Sequence, residues 1–256
     1  MSLYMYMFSM KSAGGLDVKK SIGCQQIKHE GSTFKGSKEK VVINWGCGHA
    51  LPTEVNKCHV INKPEAIYNA IDKRAFLRLC TEAKVRTVPL TIRTWEAQAW
   101  SDAGETVYCR TRLEGRQGQG IVICKGGEVT PSRLYTKGID CDREYRVHVC
   151  DGEVIAVHRK VRDGETPENE KTRLIRNTEN GWLFRRVTIY PRDIVPQAIQ
   201  AVRACGLDFA VVDVLYDGTL AWVLEANTAP GIDTMEWTCE QYAKALRKLS
   251  AKLLKK

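Results

Sequence analysis

The chain has 256 residues, with 39 Lys and Arg against 30 Asp and Glu, and a formal net charge of +9. With 43% hydrophobic and 27% charged residues, its composition is that of a folded chain and excludes a mainly disordered one. The length suits one large domain or two to three small lobes. No apolar run approaches the ~18–20 residues of a transmembrane helix. The opening Met1–Met10 has neither the cationic flank nor the small-residue cleavage site of a signal peptide, so a soluble, cytoplasmic protein without a membrane partner is expected. The ten cysteines include no C-x-x-C pair and mostly sit in apolar runs, which reads as reduced, small hydrophobic residues and not as a disulfide frame. Cys47, His49, Cys58 and His59 lie close together, but their spacing matches no closed zinc module.

In chain order, the first ten residues read as a buried strand. The basic, turn-rich stretch after it contains a second strand, 41–45, ending in Gly46-Cys47-Gly48, as at the edge of a small α/β lobe. Pro64 suits a first helical turn, where its missing N–H costs nothing, and Asp72 can cap a second helix running to Ala83. Val88-Pro89 ends it. From Thr106 the apolar period changes to two. Strands are expected at 106–112, 121–124, 133–137, 144–150, 154–161 and 172–175, with hairpin turns at Asp151-Gly152 and Asn180-Gly181. A helix over 194–204 stops at Gly206. Strands 209–215 and 220–226 follow, then a helix from 236 to 254 with Tyr242, Leu246, Leu249 and Leu253 on one stripe. The layout is α+β.

Chemistry concentrates toward the C-terminus. Glu225 and Asn227 are two apart on a strand and share a face, and Asp213 lies on the strand joined to theirs by a short turn. Three oxygen ligands on one sheet face suit Mg²⁺, and the apolar run 210–214 does not keep a carboxylate without compensation. The Gly-rich loop 115–120 carries neither a Walker A nor a Rossmann pattern. Gly118 and Gly120 nevertheless let backbone N–H groups approach a phosphate, and Arg110, Arg112 and Arg116 flank the loop. Alternation places Glu144, Arg146 and His148 on one face, beside His158 and Lys160 of the next strand. Arg173, Arg176 and Asn177 form a third polar cluster.

Asp213 followed by Leu224-Glu225-Ala226-Asn227-Thr228-Ala229-Pro230-Gly231 closely resembles the terminal motif of ATP-grasp enzymes. The order upstream matches as well: Asp72-Lys73 opening a helix, a cationic strand and Gly-rich loop, Glu144-Tyr145-Arg146-Val147, a Lys-bearing strand, then Arg176-Asn177. The chain looks like the small ATP-grasp proteins of phages and some bacteria, and is distantly similar to ribosomal-protein glutamate ligases and D-alanine–D-alanine ligase. The resemblance implies an ATP-grasp fold with two α+β subdomains, 64–136 and 137–256, clasping ATP behind a short N-terminal α/β lobe at 1–63. It implies Mg²⁺ on Asp213, Glu225 and Asn227. Lys73 and Arg110 (or, in a register two residues on, Arg112) would face the phosphates under the Gly118–Gly120 loop. Lys137 and Ile139 fall at the adenine connection and Glu144 at the ribose, with Arg146, Lys160, Arg176 and Asn177 completing the nucleotide shell. The activity implied is an ATP-dependent carboxylate–amine (or thiol) ligase acting through an acylphosphate. Arg173 and Arg176 would grip a small-molecule or peptide carboxylate, and Arg110 would neutralise developing charge while an amine co-substrate attacks. An ATP-grasp kinase acting on a hydroxyl and a non-catalytic, basic nucleic-acid-binding protein are the alternatives. The charge divides as +5 over 1–63, 0 over 64–109, +4 over 110–186, −6 over 187–243 and +6 over 244–256. A basic phosphate shell thus precedes an acidic metal floor, and the cationic last helix reads as a solvated face.

Overall fold

The computed structural model describes residues 2–114, 119–141, 143–232 and 235–255. Three sheets succeed one another along the chain. The first holds β1 (Ser2–Met7), β2 (Gln25–Gln26), β3 (Lys40–Trp45) and β4 (His59–Ile61), all parallel in the order β2-β1-β3-β4, with helices α1 (Ala13–Ile22) and α2 (Thr53–Asn56) in the crossovers. Both central strands read as nearly continuous apolar runs, as parallel strands covered on two faces do. Ser12 caps α1 by accepting from the Gly15 N–H at 3.3 Å. Glycines begin this helix because nothing larger fits. A Cβ on Gly14 would stand 2.5 Å from the Pro230 carbonyl oxygen, and one on Gly15 2.6 Å from the Met7 sulfur.

Helices α3 (Pro64–Ile71) and α4 (Lys73–Glu82) follow, the second capped by Asp72 accepting from the Ala75 N–H at 2.8 Å, as expected. The second sheet is antiparallel, β5 (Leu90–Thr91), β8 (Leu134–Lys137), β6 (Val107–Arg110), β7 (Ile121–Cys124) in spatial order, packed on α5 (Thr94–Asp102). The third sheet is antiparallel throughout, in the order β11 (Trp182–Arg186), β10 (Glu153–Arg162), β9 (Arg143–Cys150), β12 (Phe209–Tyr216), β13 (Ala221–Asn227). The segment 172–175, expected as a strand, belongs instead to helix α6 (Glu170–Leu174). The reason is local: the Asn169 side chain accepts from the Thr172 N–H at 3.0 Å while the Thr172 hydroxyl accepts from the Asn169 N–H at 2.9 Å, a reciprocal cap that β-branched content does not reveal.

The third sheet buries two different faces. Val147, Val149, Ala210, Val212 and Val214 pack with α3, α4 and α7 (Ile194–Ala204). On the other face Cys150, Phe209 and Val211 pack with Met5, Met7 and Trp45 of the first sheet and with Tyr242 and Leu246 of α8 (Glu236–Leu253), so one core joins the start of the chain to its end. That cover reaches only part of the way along the strands, and the site lies on the remainder. All ten cysteines are free thiols. The cations of α8 are largely used inside the fold. Lys248 and Lys252 pair with Glu153 and Asp151 of the β9–β10 turn, and Arg247 donates to the Ile22 carbonyl at 2.6 Å, satisfying the C-terminus of α1. Among the described residues no helix is long and apolar enough to cross a membrane.

Candidate active site

Cross-strand register sets the site. Arg146, on β9, stands directly opposite His158 of β10 on one side and Asp213 of β12 on the other, and Asp213 in turn faces Glu225 of β13. Residues opposite one another in a ladder share a face. One row therefore carries His158, Arg146, Asp213 and Glu225; the next carries Phe184, Lys160, Glu144 and Leu215. Asn227 lies one step along β13, opposite Val211.

Within the row, Arg146 grips Asp213 with two parallel bonds, Nε–Oδ1 at 2.8 Å and Nη2–Oδ2 at 2.9 Å. Burial alone would drive the Arg146 pKa down, but Asp213 outweighs it and holds the guanidinium above its ordinary value. Its Cζ sits 3.8 Å from the centre of the Phe184 ring. Glu225 accepts from the Asn227 amide at 3.3 Å, and its other oxygen stands 3.3 Å from Lys73 Nζ, at the first turn of α4. Burial raises the Glu225 pKa, yet Lys73 and Arg110 override it and hold the carboxyl below the usual range. Arg110, at the end of β6, lies on the opposite wall, its pKa lowered by burial despite the nearby Glu225 charge. Its Nε is buried without a hydrogen-bond partner among the described residues. A buried guanidinium N–H without an acceptor is costly unless an anion completes it.

The neighbouring row is equally charged. Lys160 bonds Glu144 and donates to the Arg176 carbonyl at 2.8 Å, while Arg176 Nη1 lies 3.9 Å from Glu144. Burial raises the Glu144 pKa, Lys160 opposes it, and Asp213 adds to the rise. Arg176 also donates to the Cys141 carbonyl at 2.6 Å and lies over Trp182, so it bridges the crossing from β8 to β9. The structure thus gathers Lys73, Arg110, Glu144, Arg146, Lys160, Arg176, Asp213, Glu225 and Asn227. Others stand apart. Lys137 pairs with Glu105 at 2.6 Å, and Ile139 is half-buried in the β8–β9 crossing. The side chain of Asn177 caps the 3₁₀ turn Thr178–Asn180, and Arg173 and Arg112 are exposed. Gly120 (φ +71) receives the Thr111 N–H on its carbonyl at 2.9 Å, closing the base of the Gly-rich loop. Gly118 and Arg116 lie outside the described residues.

The donor set at Asp213, Glu225 and Asn227 is two carboxylates and an amide, all hard oxygen ligands of the kind Mg²⁺ takes. Cations already counterbalance both carboxylates, and the Arg110 N–H awaits an anion, which suits a metal–phosphate pair. Among the described residues no three His, Cys, Asp or Glu side chains group around a common metal position, so the set here rests on two carboxylates and the Asn227 amide. Sequence patterning missed Phe184 and Trp182, the aromatic rings under Arg146 and Arg176, because Trp182–Arg186 lacks the alternation that marks a strand face.

No family model matches the chain. It is 25% identical over 214 residues to a probable alpha-L-glutamate ligase of Maridesulfovibrio salexigens, covering 77% of this chain and 68% of that one. A second such protein, from Aeromonas salmonicida, is 31% identical over 138 residues, 48% of this chain and 43% of the other. Among solved structures, the ATP-grasp ligase PsnB complexed with minimal precursor superposes with a TM-score of 0.68 at 16% identity, covering 97% of this chain and 98% of that one. D-alanyl-alanine synthetase A from Vibrio cholerae gives 0.67 at 13% identity over the full length of both chains. The fold is ATP-grasp. The relatives it resembles in sequence are named probable alpha-L-glutamate ligases, and the solved structures that share its fold include the ATP-grasp ligase PsnB.

Proposed function

We propose that this protein is an ATP-dependent carboxylate–amine ligase, with residues 64–136 and 137–256 as the two halves of the nucleotide clasp and 1–63 as a short N-terminal α/β lobe. The observation that carries this reading is the joint placement of Asp213, Glu225 and Asn227 on adjoining strands, with Lys73 and Arg110 aimed at the same carboxylate. In the reaction, a substrate carboxylate oxygen attacks the γ-phosphorus of ATP and ADP departs. An amine then attacks the acyl carbon of the resulting acylphosphate, and phosphate leaves with the amine's proton passing to water or to the phosphate. Bound Mg²⁺ would supply charge neutralisation at the phosphates. Asp213, Glu225 and Asn227 would hold it. Arg110, whose Nε–H has no partner among the described residues, and Lys73 would take phosphate oxygens, and Lys160 and Arg176 would complete the cationic wall. Glu144, whose pKa burial raises, would meet a ribose hydroxyl. Lys137 and Ile139 flank the crossing where adenine would lie.

The substrate carboxylate belongs to a small molecule or a peptide, in keeping with the probable alpha-L-glutamate ligases among the sequence relatives and with PsnB, a structure of like fold that is complexed with a precursor peptide. Ten free thiols suit a reducing cytoplasm. The test is an ADP-release screen of purified protein against pooled amino acids, polyamines and acidic peptides, with mass spectrometry of any adduct. The ligase reading expects stoichiometric ADP and a product lighter than its two substrates by one water. A stable phosphorylated product formed without an amine would replace it with the kinase reading.

A further inference from the structure

A second polar chain begins where the active-site row meets the core. The Tyr242 hydroxyl is 3.1 Å from His148 Nδ1, His148 Nε2 is 2.9 Å from His158 Nδ1, and His158 Nε2 is 3.2 Å from the Thr238 hydroxyl. All four side chains are buried; His148 is 0% and His158 2% exposed. A neutral imidazole has one N–H and one lone pair. The chain can therefore run from Tyr242 to Thr238 or the reverse, and every link is satisfied in either direction.

The groups facing the chain require it to be neutral. His158 stands between Arg146 and Arg186 in the strand register, so a third positive charge there would face two guanidinium groups. Burial first, then those two arginines, bring its pKa down to about 4, and burial, His158 and Arg146 put that of His148 well below its ordinary value. The remaining neighbours are Asp213 across Arg146, and Thr238 and Tyr242 from α8. The row then reads Arg186, neutral His158, Arg146, Asp213, Glu225, positive at the β11 edge and negative at the β13 edge. The chain also closes a loop of connections. The segment after Asn227 is tied to this row at its start through Glu225 and, at its far end, through Thr238 and His158.

We propose that Tyr242, His148, His158 and Thr238 form a positioning relay from α8 to the active-site row, holding Arg146, and through it the Asp213 carboxylate, in the orientation the metal needs. None of the four touches substrate. The proposal rests on the reading of Asp213 as a magnesium ligand, and its test separates the two. Tyr242→Phe and Thr238→Val each delete one hydroxyl with little change of shape. The readouts are exchange of the Arg146 Nε–H proton by NMR in metal-free protein, and the Mg²⁺ concentration giving half-maximal AMPPNP binding. The relay predicts that either variant speeds Arg146 proton exchange roughly five-fold or more, because the histidine pair beside Arg146 loses one of the two hydroxyl bonds that fix it to α8. It predicts a roughly ten-fold rise in the Mg²⁺ requirement, the usual effect of losing an outer partner of a metal ligand. Thr238→Ser, which returns the hydroxyl, restores both. An Arg146 proton unchanged in both variants overturns the relay whatever magnesium does. AMPPNP binding by the unmodified protein that ignores magnesium overturns the Asp213 reading instead, and the Arg146 proton alone then decides the relay.

Discussion

Along β12 the side chains alternate between two settings. Ala210, Val212 and Val214 face an apolar core shared with α7, whereas Phe209, Val211, Asp213 and Leu215 face the first sheet, α8 and the site. The first face is uniform along its length. The second passes from Phe209, stacked on Trp45 at 5.4 Å, through the His148–His158 pair to the Arg146–Asp213 pair. Burial is similar on both; Val212 is 0% and Asp213 4% exposed. What separates them is compensation. Each carboxylate of the buried row has a cation beside it, Asp213 the Arg146 guanidinium across the ladder and Glu225 the Lys73 ammonium from α4.

Substitutions on the two faces should fail differently. The largest effect is expected for Glu225→Gln, which keeps the shape but removes a charge from the metal floor. Turnover should fall roughly 100- to 1,000-fold with little change in Tm. Arg110→Ala comes next, with a roughly 100-fold loss that appears more in kcat than in overall folding, because its buried Nε–H has no hydrogen-bond partner among the described residues to lose. On the apolar face Val212→Ala should do the reverse, costing about 1–3 kcal/mol in denaturant unfolding while leaving the Mg²⁺ dependence of nucleotide binding intact.

The histidines predict a milder, pH-dependent effect. Each keeps a folded pKa below the unfolded value, His158 at about 4 against 6.5. Between those values the unfolded chain binds the extra proton and the folded chain does not. Stability should therefore fall as pH drops from 6.5 toward 4, by up to about 1.4 kcal/mol per pH unit for each histidine. His158→Gln should flatten that slope by one proton, as read by urea unfolding across the range. The smallest effect is expected for Lys248→Ala, at an exposed pair with Glu153, where both Tm and ligation should stay unchanged.

Much of this was legible in the sequence. Alternation in 144–150 and 209–215, with Glu225-Ala226-Asn227, put Glu144 with Arg146 and Glu225 with Asn227 on one face, as the sheet register has them, because a period of two survives without knowledge of partners. Their pairing was not legible. Arg146 and Asp213 are far apart in sequence, and only the register of β9 against β12 makes them opposite. Helix α1 was hidden by Gly14 and Gly15, which are selected for close approach to Pro230 and Met7 and not for helix propensity. The segment 172–175 looked like a strand because its side chains favour one, and the Asn169–Thr172 cap prevailed. The cationic last helix looked like a solvated face, yet Arg247, Lys248 and Lys252, three of the four cations of α8, bond the β9–β10 hairpin or the end of α1.

The most direct test of the central claim is calorimetric titration of AMPPNP into the unmodified protein and into Glu225→Gln, with Mg²⁺ and with EDTA. Tight binding that needs both Mg²⁺ and Glu225 is the predicted result. Equal affinity in all four titrations would contradict the assignment of Asp213, Glu225 and Asn227 as the metal floor of a nucleotide site.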